Sequence, residues 1–347
     1  MGFASAFFST NMSMQISGVP KPIGAFWLIA FILFIVTASQ YYTDKNWFYL
    51  AFVAILLSQI LIILAWKDAK FGTIINLLIL LASLIGFGEF QFQKMVTTES
   101  ELLLLETSEI NSQKTKRQSV KDLPPIVQTW LRNSGALEKE PIKRVKLEQR
   151  GIMRTKPEGR WLPFEATQYY NIGDPSFVWH TNVQATSGLN LLGRDKLIEG
   201  KGNMLIKIAG LIPVVDESNN KKINTGAMIR FLGEICWFPF GALENYITWE
   251  TIDATSARAT LNYNSESVTG IFKFSKDGDF SSFEADRYYG GKETSKLEKW
   301  VVHAVAYNTF EDISLPSECD VIWKLSDGDF HWLNLEITNL DYNVTAL

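Results

Sequence analysis

The sequence has few of the residues that bind metals or carry out group transfer. Its 347 residues include two cysteines and only three histidines, His180, His303 and His331. None of these five residues lies in a CxxC, HxH or HExxH spacing. The sequence also contains no GxSxG, GxGxxG or P-loop motif. It therefore predicts no metal, no cofactor and no catalytic residue of a known motif.

The two cysteines, Cys236 and Cys319, both lie in the second half of the chain. Cysteine is among the residues most often found buried, so we expect two free thiols in the core. A disulfide between them is the alternative if the domain faces an oxidising compartment.

The sequence also lacks an excess of positive charge. Lysine and arginine number 33 against 37 aspartates and glutamates, which gives a net charge of −4. A nucleic-acid partner is therefore not predicted. The first residues lack the positive stretch of a cleaved signal peptide, and Ala6 stands where N-myristoylation requires serine or threonine.

Long apolar runs dominate the first ninety residues. They cover about 23–41, 46–66 and 71–88, and each is close to the length of ~20 residues that crosses a bilayer. We predict a short tail at 1–22 and a membrane domain of three transmembrane helices at 23–90. The bilayer is then one partner of the chain.

The membrane orientation depends on a few lysines. Lys21, Lys67 and Lys70 fall on one side of the predicted helices, and Lys45 and Lys94 on the other. The positive-inside rule places the N-terminus in the cytoplasm and the rest of the chain, after the third helix, outside it. The predicted location is a multi-pass protein of the cell membrane with an extracytoplasmic C-terminal domain.

The predicted spans contain few polar side chains. Ser58, Gln59 and Asn76 are the notable ones, and none is ionisable. A transport pathway usually carries ionisable residues at depth, so we interpret these three as packing contacts between helices.

A juxtamembrane linker is predicted at 91–121. Its first part mixes Leu102–Leu105 with glutamates, so a helix can continue out of the bilayer there. Its second part, Asn111–Lys121, is polar and basic without apolar periodicity, which is typical of a solvated linker. Contact with anionic lipid head groups is the alternative for the basic residues.

The soluble domain, predicted at 122–347, begins with a helix and continues with strands. Asp122 is expected to cap the helix and Gly135 to end it. From Ile142 the hydrophobic period changes to two, and eleven further short segments follow, among them Leu197–Glu199 and Met204–Ile208, separated by Gly/Asp turns. Regular alternation of strands and helices is absent, which disfavours a parallel sheet. The predicted class is α+β, with three N-terminal transmembrane helices and a large curved antiparallel β-sheet covered by two or three helices.

One stretch, Asn224–Leu243, is expected to organise this domain. Asn224 or Thr225 is the expected N-cap, and Pro239 and Gly241 end the helix. Its apolar face consists of Met228, Phe231, Leu232 and Ile235.

The soluble half resembles a group of mostly bacterial proteins classed only as a domain of unknown function. The resemblance covers about residues 122–345 and supports one continuous domain, but it implies no established activity. Its motifs keep their order: Leu123-Pro124-Pro125, WLPF at 161–164, FVW at 177–179, RFLGE at 230–234 leading into WFP at 237–239, and SARATL at 256–261.

Candidate binding residues come from the central helix and from the many aromatics. We expect the charges on neighbouring strands, including Glu250, Asp286 and Arg287, to face water. A sharper hypothesis places Arg230, Glu234 and Arg258 at a mouth beside Trp237, where arginine binds a phosphate or carboxylate head group. The aromatics either fill the core or line an apolar cavity, and the candidate ligand contacts among them are Trp161, Trp179, Trp237 and Phe238.

Three functions remain open from the sequence. The first is a membrane-anchored domain that binds a lipid or another apolar molecule between sheet and helix. The second is a structural module that docks a protein partner. The third is an enzyme with Glu234 or Asp286 as acid/base residue and Arg230 as anion clamp.

Overall fold

The computed structural model describes residues 20–44, 46–110, 117–186, 189–218 and 220–345, with the backbone alone at 106–110. The predicted tail up to residue 19 and positions 111–116 of the predicted linker lie outside the described residues. The chain forms two compact units that divide at Lys94, and the short segment Ala209–Ile212 groups with the first unit.

The first unit is helical. Helices α1 (Lys21–Thr43), α2 (Trp47–Leu64), the short α3 (Trp66–Ala69) and α4 (Gly72–Ile110) follow one another. Three stretches, Lys21–Thr43, Trp47–Leu64 and Gly72–Leu105, are long and apolar enough to cross a membrane. Helix α4 continues well past residue 88, so the first part of the predicted linker is helical.

The polar side chains of the apolar helices meet one another. Ser58 Oγ lies 3.2 Å from Asn76 Oδ1, and Asn76 Nδ2 donates to Gln59 Oε1 at 3.0 Å. Gln59 Nε2 donates in turn to Thr73 Oγ1 at 3.1 Å. These bonds join α2 to α4, so the predicted packing role of Ser58, Gln59 and Asn76 agrees with the structure. Hydrogen bonds of this kind contribute about 0.6 kcal/mol each in membrane proteins.

The second unit contains one sheet of thirteen strands in the order β6-β5-β4-β3-β2-β1-β13-β12-β11-β10-β9-β8-β7. The predicted α+β class is thereby confirmed. The strands are β1 (Arg144–Met153), β2 (Leu162–Asn171), β3 (Ser176–Thr186), β4 (Leu189–Ile198), β5 (Lys201–Ile208), β6 (Ile212–Ser218), β7 (Ile247–Thr251), β8 (Ser256–Tyr263), β9 (Glu266–Phe274), β10 (Phe280–Tyr288), β11 (Leu297–Phe310), β12 (Ile313–Leu325) and β13 (Gly328–Tyr342).

The strand order explains why a helix crosses the inner face of this sheet. Strands β1–β6 form one meander and β7–β13 a second, and the two join where β1 pairs with β13. Strands β6 and β7 are consecutive in sequence but form the two opposite edges. The segment between them therefore has to pass from one edge to the other, and it contains helix α6 (Lys221–Glu234).

Helix α6 begins earlier than the sequence indicates. Its N-cap is Asn220, whose side chain accepts the N–H of Ile223 at 3.0 Å. The predicted caps bond elsewhere: Asn224 accepts the N–H of Gly202 at 2.9 Å, and Thr225 donates to the carbonyl of Lys221 at 2.8 Å. After Glu234 the chain continues in two 3₁₀ turns, Ile235–Trp237 and Pro239–Leu243, so the helix ends close to the predicted point.

The core lies between α6 and the inner face of the sheet. Met228, Phe231, Leu232 and Ile235, the predicted apolar face, are all fully buried. Aromatic rings complete this core: Phe272 and Phe283 lie 4.9 Å apart between centroids, and Tyr170 and Phe238 lie 4.8 Å apart. Rings of this size dominate core energetics because each buries on the order of 150–250 Å².

A shorter helix and both cysteines also belong to this core. Helix α5 spans Pro125–Asn133 and is preceded by Pro124, not capped by Asp122, which lies in a separate 3₁₀ turn. Gly135 takes the left-handed conformation (φ 77°) just after α5, as predicted for its end.

Cys236 and Cys319 are free and buried, which confirms the expected thiols. Burial raises the pKa of Cys236, and it raises that of Cys319 to about 12.

Two strands differ from the sequence-based expectation. Strand β6 was not predicted, and β4 was predicted only at its end, Leu197–Glu199. Strand β4 carries Gly193, Arg194 and Asp195 in succession, which interrupts the apolar alternation. Strand β6 forms an edge of the sheet, where much of its side-chain surface stays in solvent, so it needs no strong alternating pattern.

Gly270 in β9 tests how tightly this core is packed. A Cβ at position 270 would lie 2.2 Å from the ring of Phe283, which is fully buried. We expect Gly270→Ala to lower the free energy of unfolding by about 1–3 kcal/mol, since the ring has no space to move into. Thermal unfolding of the full chain in detergent measures this. The nearby exposed Ser267→Ala is the control, and an equal melting temperature for both variants would contradict the packing.

Candidate functional site

Arg230 lies at the centre of a buried polar network between α6 and the sheet. Its Nε donates to Glu234 Oε1 at 2.7 Å, and its Nη1 donates to Asp195 Oδ2 at 2.9 Å. Its Nη2 donates to Gln168 Oε1 at 3.0 Å. Gln168 Nε2 and the Tyr170 hydroxyl both donate to Glu234 Oε2, each at 2.9 Å. We call these five residues the Arg230 network.

Local structure explains how these side chains meet. Arg230 and Glu234 are four residues apart on α6 and therefore share a helix face. Gln168 and Tyr170 are two apart on β2, and both point to the inner face, where their neighbours are buried. Asp195 holds the inner position of β4 opposite Trp179. The network thus ties the helix to two strands.

Burial and charge act in opposite directions on Arg230. Its side chain is 14% exposed, against 10% for Glu234 and 5% for Asp195. Burial alone lowers the pKa of Arg230, but Glu234 and Asp195 more than offset this, so the pKa is raised. Its guanidinium also lies 4.7 Å from the ring centroid of Trp179 and 5.1 Å from that of Phe177. Arg230 is therefore a fixed cation held by two carboxylates and two rings.

Neither candidate acid/base residue has the surroundings that the enzyme hypothesis requires. Both oxygens of Glu234 accept hydrogen bonds, from Arg230, Gln168 and Tyr170. Asp286, the other candidate, is 71% exposed and lies 3.9 Å from Lys299. Within the described ranges, no group of three or more His, Cys, Asp or Glu side chains converges as a metal ion would require.

A second arginine contacts α6 from the other meander of the sheet. Arg287 of β10 donates from Nε to the carbonyl of Gly226 at 3.1 Å. Its guanidinium carbon lies 4.9 Å from the ring centroid of Trp300 and 5.7 Å from that of Trp323. We expected Arg287 to face water, and the structure corrects this. Arg287 shares its phase on β10 with the buried Phe283 and Ala285, so it points inward.

Other predicted site residues lie in the core beneath the network. Trp237 is 2% exposed, and its Nε1 donates to the carbonyl of Pro316 at 3.1 Å. Phe238 is fully buried against Tyr170 and Phe231. Both residues therefore support the position of α6 from below and offer no surface to a ligand in this conformation.

Trp161 and Arg258 are not part of this cluster. Trp161 packs against Arg154, 4.5 Å from its ring centroid, and against His331 at 5.2 Å. Arg258 is 47% exposed and pairs with Glu250 at 3.1 Å, on the strand face that alternates with the buried Ala257 and Ala259. Of the seven predicted residues, the structure brings Arg230, Glu234 and Trp179 together in direct contact.

Sequence reasoning missed Asp195, Gln168, Tyr170 and Arg287. Two of them carry a readable signal, because each is a charge on the apolar phase of a strand. Asp195 follows Leu191 and Gly193 at intervals of two, and Arg287 follows Phe283 and Ala285 in the same way. A charge in that position has to find a partner inside the fold.

An apolar strip adjoins the Arg230 network. The inner face of strands β3–β5 carries Trp179, Leu191, Met204 and Ile206. Trp179 and Met204 stand opposite Asp195 in the strand pairing, Ile206 stands opposite Gly193, and Leu191 is two residues before Gly193 on β4. All four are only half-buried, unlike the inner-face residues nearer the middle of the sheet. We call them the inner strip. Trp179 belongs to both features, and its Nε1 donates to Gln149 at 2.9 Å.

Comparison with known families identifies the chain. Residues 121–342 match the model of a family described as a family of unknown function, DUF6920. The chain belongs to this family. The match covers the whole sheet and both of its helices, α5 and α6, so the Arg230 network and the inner strip lie within the DUF6920 region. Among curated proteins, none matches the sequence significantly.

Several solved structures are distantly similar to this DUF6920 member. A putative outer membrane lipoprotein-sorting protein domain from Vibrio parahaemolyticus is 10% identical, with a TM-score of 0.34 over 63% of this chain and 93% of that one. The LolA superfamily protein NE2245 from Nitrosomonas europaea is 10% identical, with a TM-score of 0.34 over 63% of this chain and 94% of that one. A DUF1329 family protein from Desulfovibrio piger is 11% identical, with a TM-score of 0.32 over 66% of this chain and 95% of that one. Likeness at this level defines no ligand or activity for the DUF6920 chain.

The Arg230 network predicts a clear order of mutational effects. Arg230→Met leaves two buried carboxylates without a cation, and we expect it to lower the free energy of unfolding by about 3–5 kcal/mol. Glu234→Gln keeps the ion pair between Arg230 and Asp195 and should lower the free energy of unfolding by less. The loss in the double variant Arg230→Met/Glu234→Gln should be smaller than the sum of the two single losses, because the two residues interact.

Thermal unfolding in detergent, followed by tryptophan fluorescence, measures these effects. Arg258→Met removes an exposed arginine and is the matched control, which we expect to stay within about 0.5 kcal/mol of the unchanged protein. Equal stability of Arg230→Met and Arg258→Met would show that the network does not hold α6.

Proposed function

We propose that the protein is a membrane-anchored domain that binds a lipid or another apolar molecule on the inner face of its sheet. The inner strip is the observation that supports this most directly. Its four side chains face the inside of the sheet yet retain contact with solvent. Apolar surface inside a concave sheet, bordered by a few polar groups, is the usual make-up of a small-molecule site.

The energetics favour an elongated apolar ligand over a compact polar one. Burial of apolar surface contributes roughly 25 cal/mol per Å², so covering about 200 Å² on the strip contributes about 5 kcal/mol. The five side chains of the Arg230 network, beside the strip, are already paired with one another. A ligand on the strip therefore gains mainly from contact with Leu191, Met204, Ile206 and the Trp179 ring.

The three apolar helices supply the anchor in this proposal. Each is long enough to cross a bilayer, and the chain would then cross it three times. The lysine distribution supports a cytoplasmic N-terminus and an extracytoplasmic sheet domain. A tether of this kind keeps the domain next to the bilayer, where water-insoluble ligands are concentrated.

Photo-crosslinking tests ligand binding on the strip. The full chain in phosphatidylcholine nanodiscs is illuminated with a fatty acid that carries a diazirine on its chain, and labelled peptides are mapped by mass spectrometry. We expect labels in the peptides that span 176–186 and 201–208. Labels in α1, α2 and α4 arise from the bilayer itself and do not count.

A paired set of variants makes this test specific. Ile206→Glu places a carboxylate in the strip and should reduce labelling of both peptides about tenfold, because burying an unpaired charge is costly. Val305→Glu changes a residue of β11 that is 54% exposed and should leave the labelling unchanged. Absence of label from both peptides in the unchanged protein would overturn the proposal.

Cysteine labelling tests the orientation. Cys236 and Cys319 are buried, so a surface cysteine is the one that reacts with an impermeant maleimide. We expect Lys276→Cys, in an exposed turn of the sheet domain, to react in intact cells. Asp68→Cys, between α2 and α4, should react only after the cells are permeabilised. The reverse pattern would place the sheet domain in the cytoplasm.

A further inference from the structure

Arg287 has no acidic partner, in contrast to Arg230 and Arg194 of the same domain. Arg230 has two carboxylates, and Arg194 has Glu99 at 2.9 Å. No carboxylate in the described part of the chain lies within 4.0 Å of Arg287. Glu298 stands opposite it in the strand register but forms no ion pair with it.

The hydrogen-bonding capacity of Arg287 is mostly unused. Its Nε is bonded to the Gly226 carbonyl, but its two terminal nitrogens donate to no residue that the structure describes. A guanidinium carries its donors in a planar fork that matches two oxygens of a carboxylate or phosphate.

The neighbouring tryptophan provides a second unused donor. Trp300 is 4% exposed, and its indole N–H is buried and has no hydrogen-bond partner among the residues that the structure describes. The same ring lies 4.9 Å from the Arg287 guanidinium carbon. Buried donors are nearly always satisfied in folded proteins, so a missing acceptor at this place is a feature that needs an explanation.

Arg287 also borders the ligand site proposed above. Gly226 and Arg230 are four residues apart and lie on the same face of α6. Arg287 reaches that face from β10, and the inner strip and Trp179 reach it from β3–β5. Burial lowers the pKa of Arg287 to about 10, with Asp195 partly opposing the shift, so Arg287 is still charged at neutral pH.

We propose that Arg287 and the Trp300 indole N–H bind the oxyanion head group of an amphiphile whose apolar part lies on the inner strip. This inference rests on the proposed function and defines its ligand as a carboxylate or phosphate amphiphile. The oxyanion supplies the acceptor that both donors lack, and it neutralises a half-buried cation. The neighbouring rings of Trp300 and Trp323 limit water, which strengthens such a charge-assisted bond.

Competition at the inner strip tests this without interference from the bilayer. The full chain in nanodiscs is photolabelled as above, and the label in peptides 176–186 and 201–208 is displaced with oleate, lysophosphatidate or monoolein. These competitors carry a carboxylate, a phosphate or no charge. We expect both anions to compete at least tenfold more strongly than monoolein.

Three variants identify the residues responsible. Arg287→Met keeps the unbranched apolar part of the side chain and removes the guanidinium, and it should weaken competition by the anions about tenfold or more while leaving monoolein within twofold. Trp300→Phe keeps an aromatic ring, removes the N–H, and should produce a smaller loss of the same kind. Arg258→Met removes an exposed arginine of β8 and should change neither class of competitor.

The outcomes separate this inference from the function on which it depends. If monoolein and the anions compete equally and Arg287→Met changes nothing, the apolar site stands and the head-group site is refuted. If Arg287→Met weakens all three competitors alike, Arg287 has a structural role only. If no probe labels the strip in the unchanged protein, the proposed function itself fails. A preference for one anion over the other identifies the head group as carboxylate or phosphate.

Discussion

The ion network of Arg230 is the interaction on which the position of α6 depends. The helix crosses from one edge of the sheet to the other, and apolar contacts alone would tolerate several rotations of it. Arg230 removes that freedom because its guanidinium has to meet Asp195 and Gln168 on two different strands while bonding Glu234 on its own helix. A buried cation that loses its partners is strongly destabilising, so one orientation of the helix is selected.

The aromatic core follows from that orientation. With Arg230 facing β2 and β4, the opposite surface of α6 directs Phe231 and Leu232 into the core, and the 3₁₀ turn places Trp237 against Pro316. Arg287 then bonds the helix backbone from β10. The helix is thus held from both halves of the sheet. The Arg230 network holds it from β2 and β4, and from the other half Arg287 bonds its backbone while Lys222 of the helix donates to carbonyls in the connection between β10 and β11.

Much of the architecture was predictable because it depends on local pattern. Period-two alternation indicated most strands, and the helical spacing of Met228, Phe231, Leu232 and Ile235 correctly indicated the buried face of α6. The binding-site candidates were harder because they depend on which strands become neighbours. Arg258 lies on the outer phase of β8 between two buried alanines, whereas Arg287 lies on the inner phase of β10 with Phe283 and Ala285. Nothing local indicated that Asp195, 35 residues before Arg230, would be its partner.

The contrast between the two arginines at α6 carries the functional argument. Arg230 donates from each of its three nitrogens to a partner inside the protein, so it stabilises the fold. Arg287 keeps its terminal donors free beside an indole N–H that is also unpaired among the described residues, although a half-buried cation without an anion is unfavourable. In the proposed function, the unpaired arginine requires an acceptor and the exposed part of the inner strip requires an apolar chain, and a single amphiphile would supply both.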